Sequence, residues 1–248
     1  MTAHPLFDYQ PAPDLLKDRV ILITGAAEGV GRALALASAR HGATVVLLDK
    51  VIKRLEKVYD EIETAGGPQP AIYPMNLEGA TAKDHQDLAD NLDGEFGRLD
   101  GLVNNAGWIG SLTPMRHYPL ELWARVMASN LNAPFLLTHA LLPVLEKAPD
   151  PSIVFSTHDC QKAFWGAFGV AKAGQLGLMR ILAAEYQGSE RMRVNGVDTG
   201  PVRTHMRIDH YPGEAPEKNP PPEAVIAPYL YLLGPESRGT TGENIQRV

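Results

Sequence analysis

The chain has 248 residues, of which 44% are hydrophobic and 21% charged, and its formal net charge is −6. This length and composition suit one large core, so we expect a single domain over residues 1–248. The negative balance, with no basic run to offset it, argues against nucleic acid and anionic membranes as partners.

Predicted strands and helices alternate along most of the chain. Short apolar runs rich in β-branched residues predict the strands, and Ala/Leu-rich or amphipathic stretches predict the helices between them. Because such alternation is typical of a parallel sheet covered on both faces, we expect an α/β fold with a doubly wound, mostly parallel sheet of about seven strands. The strands are placed at 19–23, 44–48, 71–74, 101–103, 152–155 and 192–197. The helices are placed at 31–40, 51–65, 81–96, 120–146 and 168–186.

A glycine-rich turn follows the first strand and precedes its helix, with the sequence Thr24-Gly25-Ala26-Ala27-Glu28-Gly29-Val30-Gly31. Glycines permit a tight turn there and let a pyrophosphate approach backbone N–H groups at the helix N-terminus. The alternative is an ordinary strand-to-helix connection, because such a turn is weakly specific on its own. Its position between a strand and a helix favours phosphate binding.

Asp49 closes the next predicted strand, about 20 residues after the turn. An acidic side chain there hydrogen-bonds the adenine ribose hydroxyls and disfavours a 2′-phosphate. Glu28 adds a negative charge beside the same pocket, unless it is simply a solvated turn residue. The two carboxylates predict NAD(H) as the preferred cofactor. The cation Lys50 keeps NADP(H) open as an alternative, because it could accept a phosphate.

Two motifs together resemble the short-chain dehydrogenase/reductase family: Thr-Gly-x-x-x-Gly-x-Gly from Thr24 and Asn-Asn-Ala-Gly from Asn104. The likeness continues through Asn130, Lys172 and Gly200-Pro201-Val202-Arg203-Thr204. A closer likeness, to a YciK-type branch of bacterial oxidoreductases, rests on Asp14-Leu15-Leu16, Trp165-Gly166-Ala167 and Tyr229-Leu230-Tyr231-Leu232-Leu233. The resemblance implies a single-domain Rossmann fold and an NAD(P)(H)-dependent oxidoreductase that acts on a carbonyl or a secondary alcohol.

The resemblance also implies cofactor contacts at the positions that match the family. From the pyrophosphate through the ribose and adenine to the nicotinamide, they are Gly25, Gly29, Val30, Gly31, Asp49, Asn76, Leu77, Asn105, Ala106, Gly107, Val202 and Thr204. Lys172 is expected to contact the cofactor ribose. Two positions deviate, because Asn76 stands where the family usually has Asp and Thr199 replaces the usual Pro.

The match to the family breaks at the positions that handle the proton. The family places a Tyr four residues before the Lys, but here that position is Phe168, which has no proton to exchange. The partner Ser position reads His158 when the strand 152–155 anchors the alignment. Counting back from Phe168 instead gives Phe155 or Ser156. We prefer the strand, because its alternation fixes register while a loop absorbs a deletion of about three residues.

His158 is therefore a candidate acid/base, since an imidazole titrates near neutrality. A polar loop histidine that water satisfies is an equal alternative. The candidate catalytic positions are Asn130, His158, Phe168 and Lys172. One hypothesis is an oxidoreductase with weak or altered catalysis, in which His158 or a bound water substitutes for the Tyr. The other is a non-catalytic NAD(H)-binding sensor or an inactive subunit of an oligomer.

Further expectations concern assembly, loops and location. The resemblance implies a homodimer or homotetramer built on the helices that contain Asn130 and Lys172, with candidate contacts at Leu131, Phe135, Leu136, Ala140, Leu176 and Met179. Residues 205–222, rich in proline, should form a mobile loop that orders over a small-molecule substrate. Histidine spacing predicts no metal site. The single cysteine, Cys160, and the absence of a signal-like start or a bilayer-length apolar run predict a cytoplasmic protein.

Overall fold

A single seven-stranded sheet dominates the computed structural model, which describes residues 4–188 and 192–247. Its strands are β1 (Val20–Thr24), β2 (Thr44–Asp49), β3 (Ala71–Pro74), β4 (Gly101–Asn104), β5 (Ser152–Thr157), β6 (Arg193–Asp198) and β7 (Asn244–Gln246). The order across the sheet is β3-β2-β1-β4-β5-β6-β7, and every neighbouring pair is parallel. The order reverses between β1 and β4, where sheets of this kind bind ligands. The predicted doubly wound α/β fold is confirmed.

Helices cover both faces of the sheet. They are α1 (Gly29–Arg40), α2 (Ile52–Thr64), α3 (Ala82–Phe96), α4 (Leu120–Met127), α5 (Ala133–Leu145), α6 (Gly166–Glu185), α7 (His205–His210) and α8 (Ala227–Leu233). Successive residues of a strand point to opposite faces. In β1, Ile21 and Ile23 accordingly join a core with α1, α2 and α8, while Leu22 joins a core with α3, α5 and α6.

The helical stretch predicted over 120–146 is divided in the structure. A π-helical segment, Ala128–Asn132, connects α4 to α5, so the winding of the chain changes between the two α-helices. π-Helical turns recur at functional sites. This turn buries Asn130 completely in the middle of the segment. The apolar periodicity foresaw the helix but carried no signal for the change of winding.

The segment 205–222, predicted to be a proline-rich mobile loop, contains α7 and a short 3₁₀ turn at Pro216–Lys218. Arg207 donates two hydrogen bonds to the Glu214 carboxylate, at 2.6 and 2.9 Å, and its guanidinium stacks 3.6 Å from the Tyr211 ring centroid. The prolines thus bound short helices rather than exclude them. Mobility of this segment stays a prediction.

Residues 4–188 and 192–247 lack two further features. No described helix is both long and apolar enough to cross a membrane. No group of three or more His, Cys, Asp or Glu side chains in this part of the chain is placed to hold a metal ion.

Candidate functional site

A cavity of about 330 Å³ opens at the carboxyl ends of the strands on both sides of the switch point. Most of the predicted cofactor residues line it, namely Gly25, Glu28, Gly29, Val30, Asp49, Asn76, Leu77, Asn105, Ala106, Gly107 and Thr204. Three lie outside its lining: Gly31, Val202 and Lys172. Lys50, which the sequence indicated as a possible phosphate partner, also lines the cavity, whereas Arg54 and Ser129 were missed, because helix periodicity does not show which polar side chains border a cavity.

The glycine-rich turn exposes backbone at the edge of this cavity. Gly25 and Gly29 adopt left-handed φ angles of 68° and 57°, which β-carbons disfavour. A β-carbon on Gly31 would lie only 2.1 Å from the Gly25 carbonyl oxygen and 2.7 Å from Asn105 Nδ2. Gly31 therefore acts through close packing below the turn, which explains its absence from the cavity wall. The first N–H groups of α1 remain available to an anion.

A chain of hydrogen bonds joins the strand ends beneath the turn. Thr24 Oγ1 accepts from the backbone N–H groups of Asn105 and Ala106, both at 2.9 Å, and Asn105 Nδ2 donates to Thr24 O at 3.0 Å. Ser156 Oγ donates to Asn105 Oδ1 at 3.2 Å and lies 2.8 Å from the Tyr229 hydroxyl. Asn105 is thus fixed from two strands, and Ser156 is engaged in holding it.

Charges of both signs surround the ribose end of the cavity. Asp49 lines it at the end of β2, and its Oδ1 accepts from the Val51 N–H at 3.0 Å. Glu28 is paired with Arg54, so it is not the free negative charge that the sequence interpretation assumed. Lys50 and Arg54 also line this end. These two cations offset the negative charge of Asp49 and Glu28. The electrostatic preference for NAD(H) over NADP(H) is therefore weaker than the sequence alone indicates.

Lys172 lies in α6, almost fully buried, without a carboxylate partner within hydrogen-bond distance in the described residues. Its ammonium donates to Ser156 O at 2.6 Å and to Gln175 Oε1 at 2.9 Å. Burial lowers the pKa of Lys172 from its usual 10.5 to about 8, and the nearby Cys160 and Asp198 oppose that shift. A β-carbon on Gly107 would lie 4.0 Å from Nζ, so Lys172 sits just behind the cavity wall.

Phe168 occupies the position one helical turn before Lys172 and is 5% exposed. Its ring centroid lies 5.6 Å from Lys172 Nζ and 5.9 Å from that of Trp165. An ammonium at this distance from an aromatic face is attracted to it. The side chain stabilises Lys172 by packing but offers no proton.

Asn130 uses its whole amide to hold the loop after β4. Nδ2 donates to Trp108 O at 3.1 Å and to Val126 O at 2.8 Å, while Oδ1 accepts from the Trp108 N–H at 3.1 Å. Trp108 lines the cavity, as does Met206. Asn130 thereby positions one wall of the site.

His158 directly follows β5, which extends two residues beyond its predicted end. Its Nδ1 lies 3.0 Å from Asp198 Oδ1, and Asp198 also accepts backbone N–H bonds from Asp159 at 2.7 Å and Gly200 at 2.9 Å. Burial by itself would raise the pKa of Asp198, but these hydrogen bonds and the His158 charge hold it below its usual range. The sequence interpretation missed Asp198, although its place at the end of a predicted strand was a signal.

Cys160, which lies near this site, is a poor candidate for a nucleophile. Burial raises the pKa of the Cys160 thiol to about 12, so the thiolate that would attack a substrate is scarce at neutral pH. Cys160 is 1% exposed and packs as a small apolar residue.

Comparison with known proteins identifies the family. Residues 19–215 match the short chain dehydrogenase family. The chain is 41% identical to the uncharacterized oxidoreductase YciK of Escherichia coli K12, over 94% of this chain and 93% of YciK. A short chain dehydrogenase structure from Pseudomonas syringae has a TM-score of 0.94 and 48% identity, covering 96% of this chain and 98% of that one.

A second solved structure bears on the cofactor. It is a short chain dehydrogenase from Shigella flexneri 2a in complex with NADP, with a TM-score of 0.92 and 40% identity over 95% of this chain and 99% of that one. The matched motifs, the sheet order and these likenesses agree. The chain belongs to the short-chain dehydrogenase/reductase family, in its YciK-like branch, and is a nicotinamide-cofactor oxidoreductase by that membership.

Proposed function

We propose that this chain interconverts a carbonyl and a secondary alcohol with NAD(P)(H), by a catalysis weaker than or altered from that of a Tyr–Lys site. The observation that supports the proposal is the cavity lined by Gly107, with the Lys172 ammonium just behind that glycine. The exposed backbone of the glycine-rich turn fits a pyrophosphate, because no β-carbon blocks the approach. A bound nicotinamide supplies or accepts the hydride.

The residues around the cavity then have separate roles. The turn and the α1 N-terminus bind phosphate, while Asp49 binds ribose hydroxyls. Lys172 places a positive charge near the nicotinamide end, where it favours a developing alkoxide. Asn130 holds Trp108 in the wall. Phe168 leaves the substrate oxygen without a proton donor on α6.

The test is hydride transfer from NADH to a panel of cyclohexanone, acetophenone, diacetyl and phenanthrenequinone, followed by absorbance. We expect measurable turnover below the ordinary kcat of about 10 s⁻¹, because positioned acid–base catalysis contributes about 10²- to 10⁴-fold. NADH fluorescence measures binding in the same samples. Tight NADH binding with no hydride transfer to or from any substrate would contradict an enzymatic role.

We keep a non-catalytic NAD(H)-binding protein as the second candidate function. The observation that favours it is the closed environment of Lys172, whose hydrogen bonds go to Ser156 O and Gln175 and whose remaining side faces Phe168. Such a protein would act as a redox sensor or as the inactive subunit of an oligomer. It predicts that the wild type binds NADH but transfers no hydride to or from any substrate of the panel.

We further propose that NAD(H) binds more tightly than NADP(H), because Asp49 lies at the position that the 2′-phosphate would approach. The NADP complex of the Shigella flexneri relative points the other way, and Lys50 and Arg54 give that alternative a physical basis here. Calorimetry with both cofactors decides between them.

Two variants make that measurement specific. Asp49→Ala should weaken NAD(H) binding by about 1.5–3 kcal/mol, as expected for a lost hydrogen bond to a charged group. Lys50→Ala is the control, and it should change NAD(H) binding little. Equal or tighter binding of NADP(H) by the wild type, lost in Lys50→Ala, would assign the chain to NADP(H) instead.

A further inference from the structure

We propose that His158 and Asp198 form an acid/base dyad, which exchanges the substrate proton that no phenol at position 168 can exchange. The inference rests on the proposed oxidoreductase function and names the group that completes it. His158 is the catalytic residue of the pair, and Asp198 is its positioning residue.

Strand register brings the two side chains together. In the parallel pair of β5 and β6, Thr157 is the partner of Asp198, so His158 begins the loop directly beside the last residue of β6. Carboxyl ends of parallel strands are where ligands bind in sheets of this kind. The pair is therefore built into the edge of the sheet that holds the cofactor cavity.

The Asp198 carboxylate is held on three sides. Oδ1 accepts from His158 Nδ1 and from the Gly200 N–H, and Oδ2 accepts from the Asp159 N–H. A carboxylate fixed in this way orients the imidazole and stabilises its protonated form. Since Nδ1 donates to Asp198, the second ring nitrogen, Nε2, is the atom left to exchange a proton with a substrate.

Both ends of the dyad connect to the cofactor cavity. On the β5 side, Ser156 lies two residues before His158, and the Ser156 carbonyl accepts a hydrogen bond from the Lys172 ammonium. On the β6 side, the chain runs from Asp198 through Gly200 to Thr204, which lines the cavity. The His158 side chain is 22% exposed, and it lies outside the residues that line the cavity itself. Its ring meets that of Trp165 edge-on, with centroids 5.6 Å apart.

The proposed step balances without a further reactant. In reduction, the carbonyl carbon receives the hydride of NADH, its π electron pair moves to oxygen, and that oxygen takes the proton from His158 Nε2. The products are the alcohol, the oxidised cofactor and a neutral imidazole, which regains its proton from solvent. Oxidation of an alcohol reverses each transfer.

The test measures the pH–rate profile for NADH and the four-ketone panel in His158→Gln and Asp198→Asn. His158→Gln should lower the rate of reduction by about 10²-fold, as expected for loss of an acid/base group. In reduction the donor must be protonated, so the rate falls as pH rises. Asp198→Asn removes the carboxylate that pairs with the imidazole, so this falling limb should move to lower pH.

Other titratable groups near the dyad are Asp159 and Cys160 on the loop, Lys172 on α6 and Tyr229 on α8. The control variants are His4→Gln and Asp60→Asn, which make the same chemical changes at exposed positions outside the cavity lining and should leave the profile unchanged. NADH fluorescence, measured for every variant, reports whether the cofactor site is intact.

Each outcome decides between the ideas. A falling limb that moves in Asp198→Asn, with NADH binding retained, supports the dyad, since a purely structural role would lower the rate without moving the limb. Wild-type turnover that His158→Gln leaves unchanged overturns the dyad but not the oxidoreductase function. No turnover by NADH-bound wild type contradicts the oxidoreductase function itself and removes the reaction that the dyad would serve.

Discussion

Phe168 decides how far the chemistry of its family applies to this chain. Phe168→Tyr would add a hydroxyl to a ring whose centroid is 5.6 Å from Lys172 Nζ, restoring a phenol beside an ammonium. We expect the rate of reduction of at least one ketone in the panel to rise, by up to about 10²-fold. Phe168→Leu is the matched control, because it removes the ring without adding a proton donor. No gain in Phe168→Tyr, with NADH binding unchanged, would show that a missing phenol on α6 does not limit the rate.

Lys172 makes the stability of the folded chain depend on pH. Burial lowers the pKa of Lys172 to about 8, whereas an unfolded lysine keeps its usual 10.5. Between these values the unfolded chain binds the extra proton, so the free energy of unfolding should rise with pH by about 3 kcal/mol. Below pH 8 both states are protonated and the cost of burying the charge is fully present.

Lys172→Met removes this contribution. Urea unfolding is measured at about pH 7.5, 9 and 10.5, which span the folded and unfolded pKa values of Lys172. The free energy of unfolding should therefore rise less with pH in the variant than in the wild type. The difference between the two chains isolates Lys172 from tyrosines that titrate in the same range. Parallel pH dependences would mean that water or a rearrangement solvates the ammonium in the folded state.

For individual residues, the sequence predicted which residue types occupy the site better than it predicted their contacts. The loss of the Tyr was legible from spacing alone, since Phe168 stands four residues before Lys172. The strand-based alignment also agrees with the structure, where Ser156 lies inside β5 and His158 follows it. Asp198 and Arg54 escaped prediction, because their contacts join segments 40 and 26 residues apart in the chain.

Among the elements, the segment 205–222 offers the clearest test of a predicted property. The fork between Arg207 and Glu214 spans it, and this fork lowers the pKa of Glu214 to about 2. Glu214→Gln removes the charge, so backbone hydrogen exchange from 205 to 219 should become faster at neutral pH. Glu217→Gln, a carboxylate in the same segment outside the fork, is the control and should change exchange little.

The same measurement tests the expected lid. If the segment closes over the site, NADH together with a substrate of the panel should slow exchange around Thr204 and Met206, which line the cavity. Exchange that is unchanged by both ligands and by Glu214→Gln would mean that α7 is a fixed wall of the site.

Element boundaries followed from local sequence to different degrees. Buried strands such as Thr44–Asp49 are continuous apolar runs, and their predicted ends agree with the structure within one or two residues. The π-helical segment Ala128–Asn132 had no such signal, since its winding depends on how Asn130 packs against Trp108. Strand β7, three residues long, is too short for periodicity to reveal.

For the whole molecule, the alternation of strands and helices was sufficient to predict the fold. Parallel strands need crossover helices, and only a few right-handed arrangements satisfy that requirement. Periodicity could not predict how the N-terminal segment packs against α8. Tyr9 there meets Tyr231 of α8 edge-on, with ring centroids 5.3 Å apart.

We propose that the molecule is a symmetric homo-oligomer through α5 and α6. Phe135, Val170 and Ile181 remain 49%, 40% and 61% exposed on these helices, and Val170 and Ile181 lie about three turns apart on one face of α6. Two of the predicted contact residues, Ala140 and Met179, are instead buried against the sheet and cannot touch a symmetry mate.

Light scattering tests this assembly at micromolar concentration, where the wild type should be a dimer or tetramer. Phe135→Glu combined with Ile181→Glu should give monomers, because a two-fold interface places each new charge in an apolar contact twice. Ile52→Glu is the matched control: Ile52 is 49% exposed as well, but it lies on α2, away from the proposed interface. A wild-type monomer would contradict the proposal, whereas oligomers that survive the double variant but not Ile52→Glu would move the interface to α2.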